Sequence, residues 1–181
     1  MNQETELIKN LKNPKLKNKA FKDLIDLYQE RLYWHIRKIV ITHDNANDVL
    51  QETFIRIFKG IQNFKENSSL HTWMYRIAYN ESIRFLEKNK IKTAVSIEQD
   101  NNFYINNLID DPYFNGNELQ LNLNTIISKL TDKQKRVFQM KYFDDLSFRE
   151  ISDILNISEN TLKSSYYSVV KTIEEEILAS C

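Results

Sequence analysis

Two glycines and two prolines in 181 residues constrain this chain more than any other feature. Gly and Pro supply the left-handed and fixed-φ positions of tight turns, and a many-stranded sheet needs many such turns. A chain this poor in both must spend its length in long helices with few joints. Hydrophobic residues make up 41% of it, with 10 Phe, 9 Tyr and 2 Trp, so a packed core is available. No apolar run reaches the ~20 residues of a membrane span, and the opening MNQETELIKN has no signal-peptide core. The lone cysteine, Cys181, excludes an intrachain disulfide and a cysteine metal cluster. A soluble, cytoplasmic, all-α protein is expected.

Apolar periodicity divides the chain into two helical blocks. Phe21, Leu24, Ile25, Tyr28, Leu32, Ile36, Ile39 and Val40 fall on one face of a helix at a 3.6-residue period. THD (42–44) interrupts it, and Thr42 or Asp44 can cap a second helix carrying Leu50, Phe54, Ile57, Phe58 and Ile61. Gly60 and the polar run NFKENSS end that helix. A third starts after Ser68 or Ser69 and turns Leu70, Trp73, Met74, Ile77 and Phe85 inward. This gives a basic N-terminal segment (1–20) and a three-helix domain (21–92). Residues 93–118 lose the periodicity, hold Pro112 and Gly116, and form a linker to a second domain, 119–181. Phe103, Tyr104, Ile105, Tyr113 and Phe114 suggest that parts of the linker dock on a surface. In the second domain, Thr131 with Gln134 and Ser147 with Glu150 form capping-box patterns. Helix 148–155, a turn at Asn156-Ile157-Ser158 and helix 159–176 read as a helix-turn-helix.

Net charge is zero, against a protein that binds nucleic acid by electrostatics alone. The signs are nonetheless segregated. Residues 7–22 carry six lysines and no acid, while from Thr93 to Glu118 there is no Lys or Arg against Glu98, Asp100, Asp110, Asp111 and Glu118. His35, His43 and His71 share no ligand spacing, and no Gly-rich phosphate loop or nucleophile motif occurs. No catalytic residue, metal, cofactor or small-molecule substrate is expected.

The two blocks, in this order, resemble the bacterial RNA polymerase sigma factors of the extracytoplasmic-function (ECF) type. DNANDVLQETFIRIFKGIQNF followed by SSLHTWMYRIAYNESIRFLEKNK is similar to the promoter-melting region. ISKLTDKQKRVFQMKYFDDLSFREISDILNISENTLKSS is similar to the region that reads the upstream promoter element. The resemblance implies two small helical domains, a three-helix promoter-melting domain and a four-helix helix-turn-helix domain, joined by an acidic linker. It implies core RNA polymerase (its clamp helices and flap) and promoter DNA as partners; a masking anti-sigma factor is common in the family.

Residue by residue, the resemblance puts Asp48, Gln51, Glu52 and Arg56 against the clamp helices. The loop 61–71 would hold a flipped base of the −10 element through Asn63, Phe64, Lys65 and Ser68, because an extruded base needs stacking and edge hydrogen bonds. Thr72, Arg76, Tyr79 and Asn80 continue that surface along the third helix. Tyr79 stands where the family often has a basic residue, and Arg84 where it has an acid. Arg149, Ser158, Asn160, Thr161, Lys163, Ser164, Tyr167 and Lys171 would meet the −35 element. Ser165, Ser168 and Val170 occupy positions where arginines are common, which predicts weak upstream binding by the domain alone. The linker reads equally as a carboxylate strand for a positive polymerase channel or as a solvated tether. The competing reading is a stand-alone helix-turn-helix regulator. Seven Lys/Arg against six acids between Thr131 and Lys171 leave that reading little counterion-release affinity.

Overall fold

The computed structural model describes residues 3–92, 105, 107–111, 114 and 116–180, and among them there is no strand. The helices are α1 (Gln3–Lys12), α2 (Lys17–Val40), α3 (His43–Gly60), α4 (Leu70–Lys92), α5 (Glu118–Ser128), α6 (Asp132–Tyr142), α7 (Phe148–Leu155) and α8 (Glu159–Ser180). A 3-10 turn, Ile61–Asn63, follows α3. The chain divides into two compact units, residues 1–40 with 44–92 and residues 41–43 with 93–181. Of the linker residues, Glu98, Asp100, Phe103, Tyr104 and Tyr113 lie outside the described set, while Leu108 and Asp111 are buried.

The first unit is built on the packing of α2 against α4, and α1 packs on α2 and on the 3-10 turn. The segment before Phe21 therefore differs from the expected basic tail preceding the domain. It forms α1, which buries Ile8 and Leu11, and the turn at residues 14–16 leads straight into α2. Leu7, Ile8 and Leu11 carry the apolar spacing, but the lysines between them dominate the composition. The unit thus holds four α-helices where three were expected.

In α3 the buried stripe is Ala46, Val49, Thr53 and Ile57, rotated by about one position from the expected Leu50–Phe54–Ile57 face. Thr53 can be buried because its Oγ1 donates to the Val49 carbonyl at 2.7 Å. Phe54 and Phe58 remain half-buried and meet the Phe21 ring at 6.2 and 4.9 Å between centroids. In α4, Leu70, Met74, Tyr75 and Ala78 are buried, whereas Trp73 and Ile77, expected in the core, are half-buried at its edge. Gly60 lets Trp73 close in, since a Cβ there would lie 3.3 Å from the indole.

Among the described residues of the second unit, 118–180 form the four expected helices, and residues 105 and 107–109 are helical as well. Its core joins Ile126 and Ile127 of α5, Phe138 of α6, and Val169 and Ile173 of α8. Three helices start with reciprocal capping boxes: Asn117 with Gln120, Thr131 with Gln134 and Ser147 with Glu150. The first had no reading in the sequence because Asn is the less familiar opener of that motif. Between α7 and α8 the turn is made by Asn156 at φ 55°, ψ 45°, a left-handed residue that Asn tolerates better than most.

Two stability outcomes follow. Leu162→Ala, at a position with no exposure, should cost about 2–5 kcal/mol. Asn156→Val should cost about 1–3 kcal/mol and Asn156→Gly little, because only the valine resists the left-handed turn. Chemical denaturation followed by circular dichroism measures both.

Candidate nucleic-acid interface

The helix-turn-helix presents α8 with its polar face outward. Asn160, Thr161, Lys163, Ser164, Tyr167 and Lys171 are exposed, as are Arg149 near the start of α7 and Ser158 in the turn. Three of these hydroxyls also serve the helix. Ser158 Oγ accepts from the Thr161 N–H at 3.3 Å and shares a hydrogen bond with Thr161 Oγ1 at 2.8 Å, which caps α8. Ser164 Oγ donates to the Asn160 carbonyl at 3.0 Å. Both lysines stand beside acids one turn away. Lys163 lies 3.7 Å from Glu159 and Lys171 3.8 Å from Glu175. Exposed pairs of this kind are weak and a phosphate can displace them. The carboxylates stay, however, and they subtract from the local positive potential.

Of the three positions lacking the family's arginines, Ser168 is exposed and Ser165 half-buried. Val170 is packed on the core cluster of the unit, so that position does not face outward. Beside α8 lies an aromatic patch that the sequence did not announce. Phe148 stands 5.7 Å from Tyr166 and 6.4 Å from Tyr167 between centroids, and Tyr142 and Phe143 are exposed. Lys141 and Lys163 reach over the Phe148 ring at 5.7 and 5.9 Å. Burial, then the neighbouring Tyr167 and Tyr142, raises the Tyr166 pKa above the ordinary tyrosine value, so the hydroxyl stays neutral.

In the first unit the strand-reading candidates separate into two groups. Asn63, Lys65 and Asn80 are exposed, and Ser68, Arg76 and Tyr79 are half-buried. Phe64 and Thr72 are withdrawn from the surface, which corrects their expected place on the open face. Phe64 is 5% exposed with its ring 5.0 Å from Trp73. Thr72 is 1% exposed and hydrogen-bonded to Ser69, whose Oγ accepts from the Thr72 N–H and starts α4. Phe64 gives the small loop its apolar anchor, and Thr72 is held by the Ser69 cap at the start of α4. Arg76 Nε is buried with no hydrogen-bond partner.

On α3, Asp48, Gln51, Glu52 and Arg56 share the outer face, opposite the buried stripe. Arg56 is engaged within the unit: its Nε donates to Glu81 Oε1 at 2.7 Å, and Arg84 Nη1 donates to the same oxygen at 2.6 Å. Glu81, with a side chain 8% exposed, therefore joins α3 to α4. The family's acid at position 84 has here become a base that shares this carboxylate. Among the described residues no three His, Cys, Asp or Glu side chains group as a metal site. No helix among the described residues is long and apolar enough to cross a membrane.

Residues 24–91 match the family described as Sigma-70 region 2, and residues 120–173 match Sigma-70, region 4. A chain that carries both regions in this order is a specificity subunit of bacterial RNA polymerase. The chain is 32% identical over 166 residues to the ECF RNA polymerase sigma factor SigW of Bacillus subtilis, covering 87% of this chain and 89% of that one. It belongs to the ECF RNA polymerase sigma factors. Two solved structures share the fold. CnrH, in complex with the cytosolic domain of CnrY, has a TM-score of 0.70 at 15% identity, covering 99% of this chain and 100% of that one. The sigma factor RpoE from Bartonella quintana, in complex with the anti-sigma factor NepR, has a TM-score of 0.68 at 19% identity, covering 87% and 96%.

The Glu81 junction generates its own test. Glu81→Ala should destabilise the protein by about 1–2 kcal/mol, since charge-assisted hydrogen bonds are strong but both arginines are half-exposed and screened. Arg84→Ala should cost less, because Arg56 still satisfies the carboxylate. Denaturant midpoints of the two variants decide it.

Proposed function

We propose that this sigma factor divides promoter recognition between a strand-reading face on the first unit and a weakly charged helix-turn-helix on the second. Asn63, Lys65, Ser68, Arg76, Tyr79 and Asn80 take the melted −10 strand, with Phe64 and Thr72 supporting them from below. Arg149, Asn160, Thr161, Lys163, Ser164, Tyr167 and Lys171 take the −35 element, with Ser158 as the cap. Asp48, Gln51 and Glu52 face the polymerase clamp, and Arg56 adds to that face while tied to Glu81. The acidic linker, residues 93–118, suits a positive polymerase channel. The chain performs no chemistry of its own, works in the cytoplasm and has an anti-sigma factor as a further partner.

One observation carries this division. The two lysines of α8 each stand within a turn of a glutamate. Few phosphates can then be neutralised by this unit, and the affinity must come from elsewhere. Polymerase supplies it by holding both units over one promoter, where the second contact forms at high effective concentration. A stand-alone operator binder would need the charge that α8 lacks.

Reconstitution with bacterial core polymerase tests the reading. Holoenzyme should initiate at a discrete set of genomic promoters, whereas initiation at none of them refutes it. Lys163→Ala should weaken promoter binding by holoenzyme about equally across base changes and lower the log–log salt slope by about 1. Ser168→Arg, at an exposed position on α8, should tighten promoter binding and steepen that slope. Filter binding across a salt series measures both.

A further inference from the structure

We propose that α1 is a positioning clamp for the strand-reading loop 61–69, and that Lys12 and Glu4 set how faithfully the loop discriminates bases. The inference rests on the proposed role of that loop. The matched region 2 begins at residue 24, beyond α1.

Side chains and backbone of α1 reach the loop at both ends and in the middle. At its near end, Gln62 Nε2 donates to the Leu11 carbonyl at 3.4 Å. At its centre, Lys12 Nζ donates to the Phe64 carbonyl at 2.9 Å and to Glu66 Oε1 at 2.7 Å. The same ammonium lies 5.8 Å from the centre of the Phe64 ring. At the far end, Glu4 Oε1 accepts from the Leu70 N–H at 2.7 Å, holding the first turn of α4. The anchored positions, 62, 64, 66 and 70, alternate with the candidate readers Asn63, Lys65 and Ser68.

The loop cannot hold this shape alone. Ile61 at its start and Phe64 at its centre are its buried side chains, and Lys65, Glu66, Asn67 and Ser69 are exposed. Glu66 sits at φ 59°, a left-handed backbone that a residue with a Cβ adopts only when its surroundings fix it. Lys12 supplies that fixing force: one ammonium grips the Glu66 carboxylate and the carbonyl two residues before it. Base discrimination depends on donors and acceptors held to a fraction of an ångström, so a clamp behind the loop acts on specificity rather than on gross affinity.

Lys12→Met, which keeps the stem and removes the donors, and Glu66→Gln, which weakens the same contact from the loop side, provide the test. Lys12→Arg serves as the conservative rescue. In holoenzyme, Lys12→Met should lower discrimination between the preferred −10 base and its substitutes roughly tenfold, as expected for losing charge-assisted hydrogen bonds. Discrimination at the −35 element should not change. Lys12→Arg should restore most of the loss. Hydrogen exchange of the full chain should show the loop amides and the Leu70 amide exchanging faster in Lys12→Met. Unchanged −10 discrimination overturns the inference, as does an equal loss at −10 and −35, which marks mere destabilisation. Wild-type holoenzyme silent at every promoter refutes the functional reading alone. The exchange result then decides the clamp: faster loop exchange supports it and unaltered exchange overturns it.

Discussion

Everything in this fold depends on ending helices without a left-handed glycine. A helix leaves four N–H groups and four carbonyls unsatisfied at its ends, and many chains resolve the C-terminal set with a left-handed glycine. Here neither glycine has a positive φ, and the described left-handed positions are Ile41, Glu66, Asp145 and Asn156. Each of the four sits at a joint: between α2 and α3, in the loop before α4, between α6 and α7, and between α7 and α8. Side chains do the remaining work, through three capping boxes and through Ser69 and Ser158. Such joints are stiffer than glycine turns, because a residue with a Cβ has fewer conformations to visit. Stiff joints suit a protein that must present two reading surfaces with fixed local geometry.

The second consequence concerns charge. A helix that reads DNA unaided usually carries unopposed Lys and Arg toward the phosphates. α8 instead places Glu159 and Glu175 beside its lysines, and over residues 131–171 the surplus is a single positive charge. Weak individual grip is an advantage for a factor that must leave its promoter. Affinity that exists only while polymerase bridges both units is lost once one of them lets go.

Local rules made much of this legible in the residues. The helix-turn-helix, the capping boxes at Thr131 and Ser147, and the start of α4 after Ser69 all follow from patterns spanning three or four residues. The candidate site was less legible. Phe64 read as surface chemistry because its loop is polar, and Thr72 because it falls on the polar stripe of the third helix, but Phe64 packs on Trp73 and Thr72 bonds Ser69. Arg56 read as a clamp-facing charge on α3, with no sign that Glu81, twenty-five positions on, stands beside it. The α1 lysines read as a charge run, and Lys12 has a partner more than fifty residues away.

The sequence by itself determined that the chain is helical, that it falls into two blocks around an acidic segment, and which family it resembles. Gly and Pro scarcity, 3.6-residue periodicity and capping spacing are local quantities, and local backbone energetics respond to them directly. Only the tertiary structure decided which side chain of each pattern faces solvent, that α1 belongs to the first unit, and that α1 holds the loop before α4 from behind. Those outcomes rest on contacts between residues far apart in the chain. No periodicity encodes such contacts, because they arise only when packed helices bring Lys12 to Glu66 and Arg56 to Glu81.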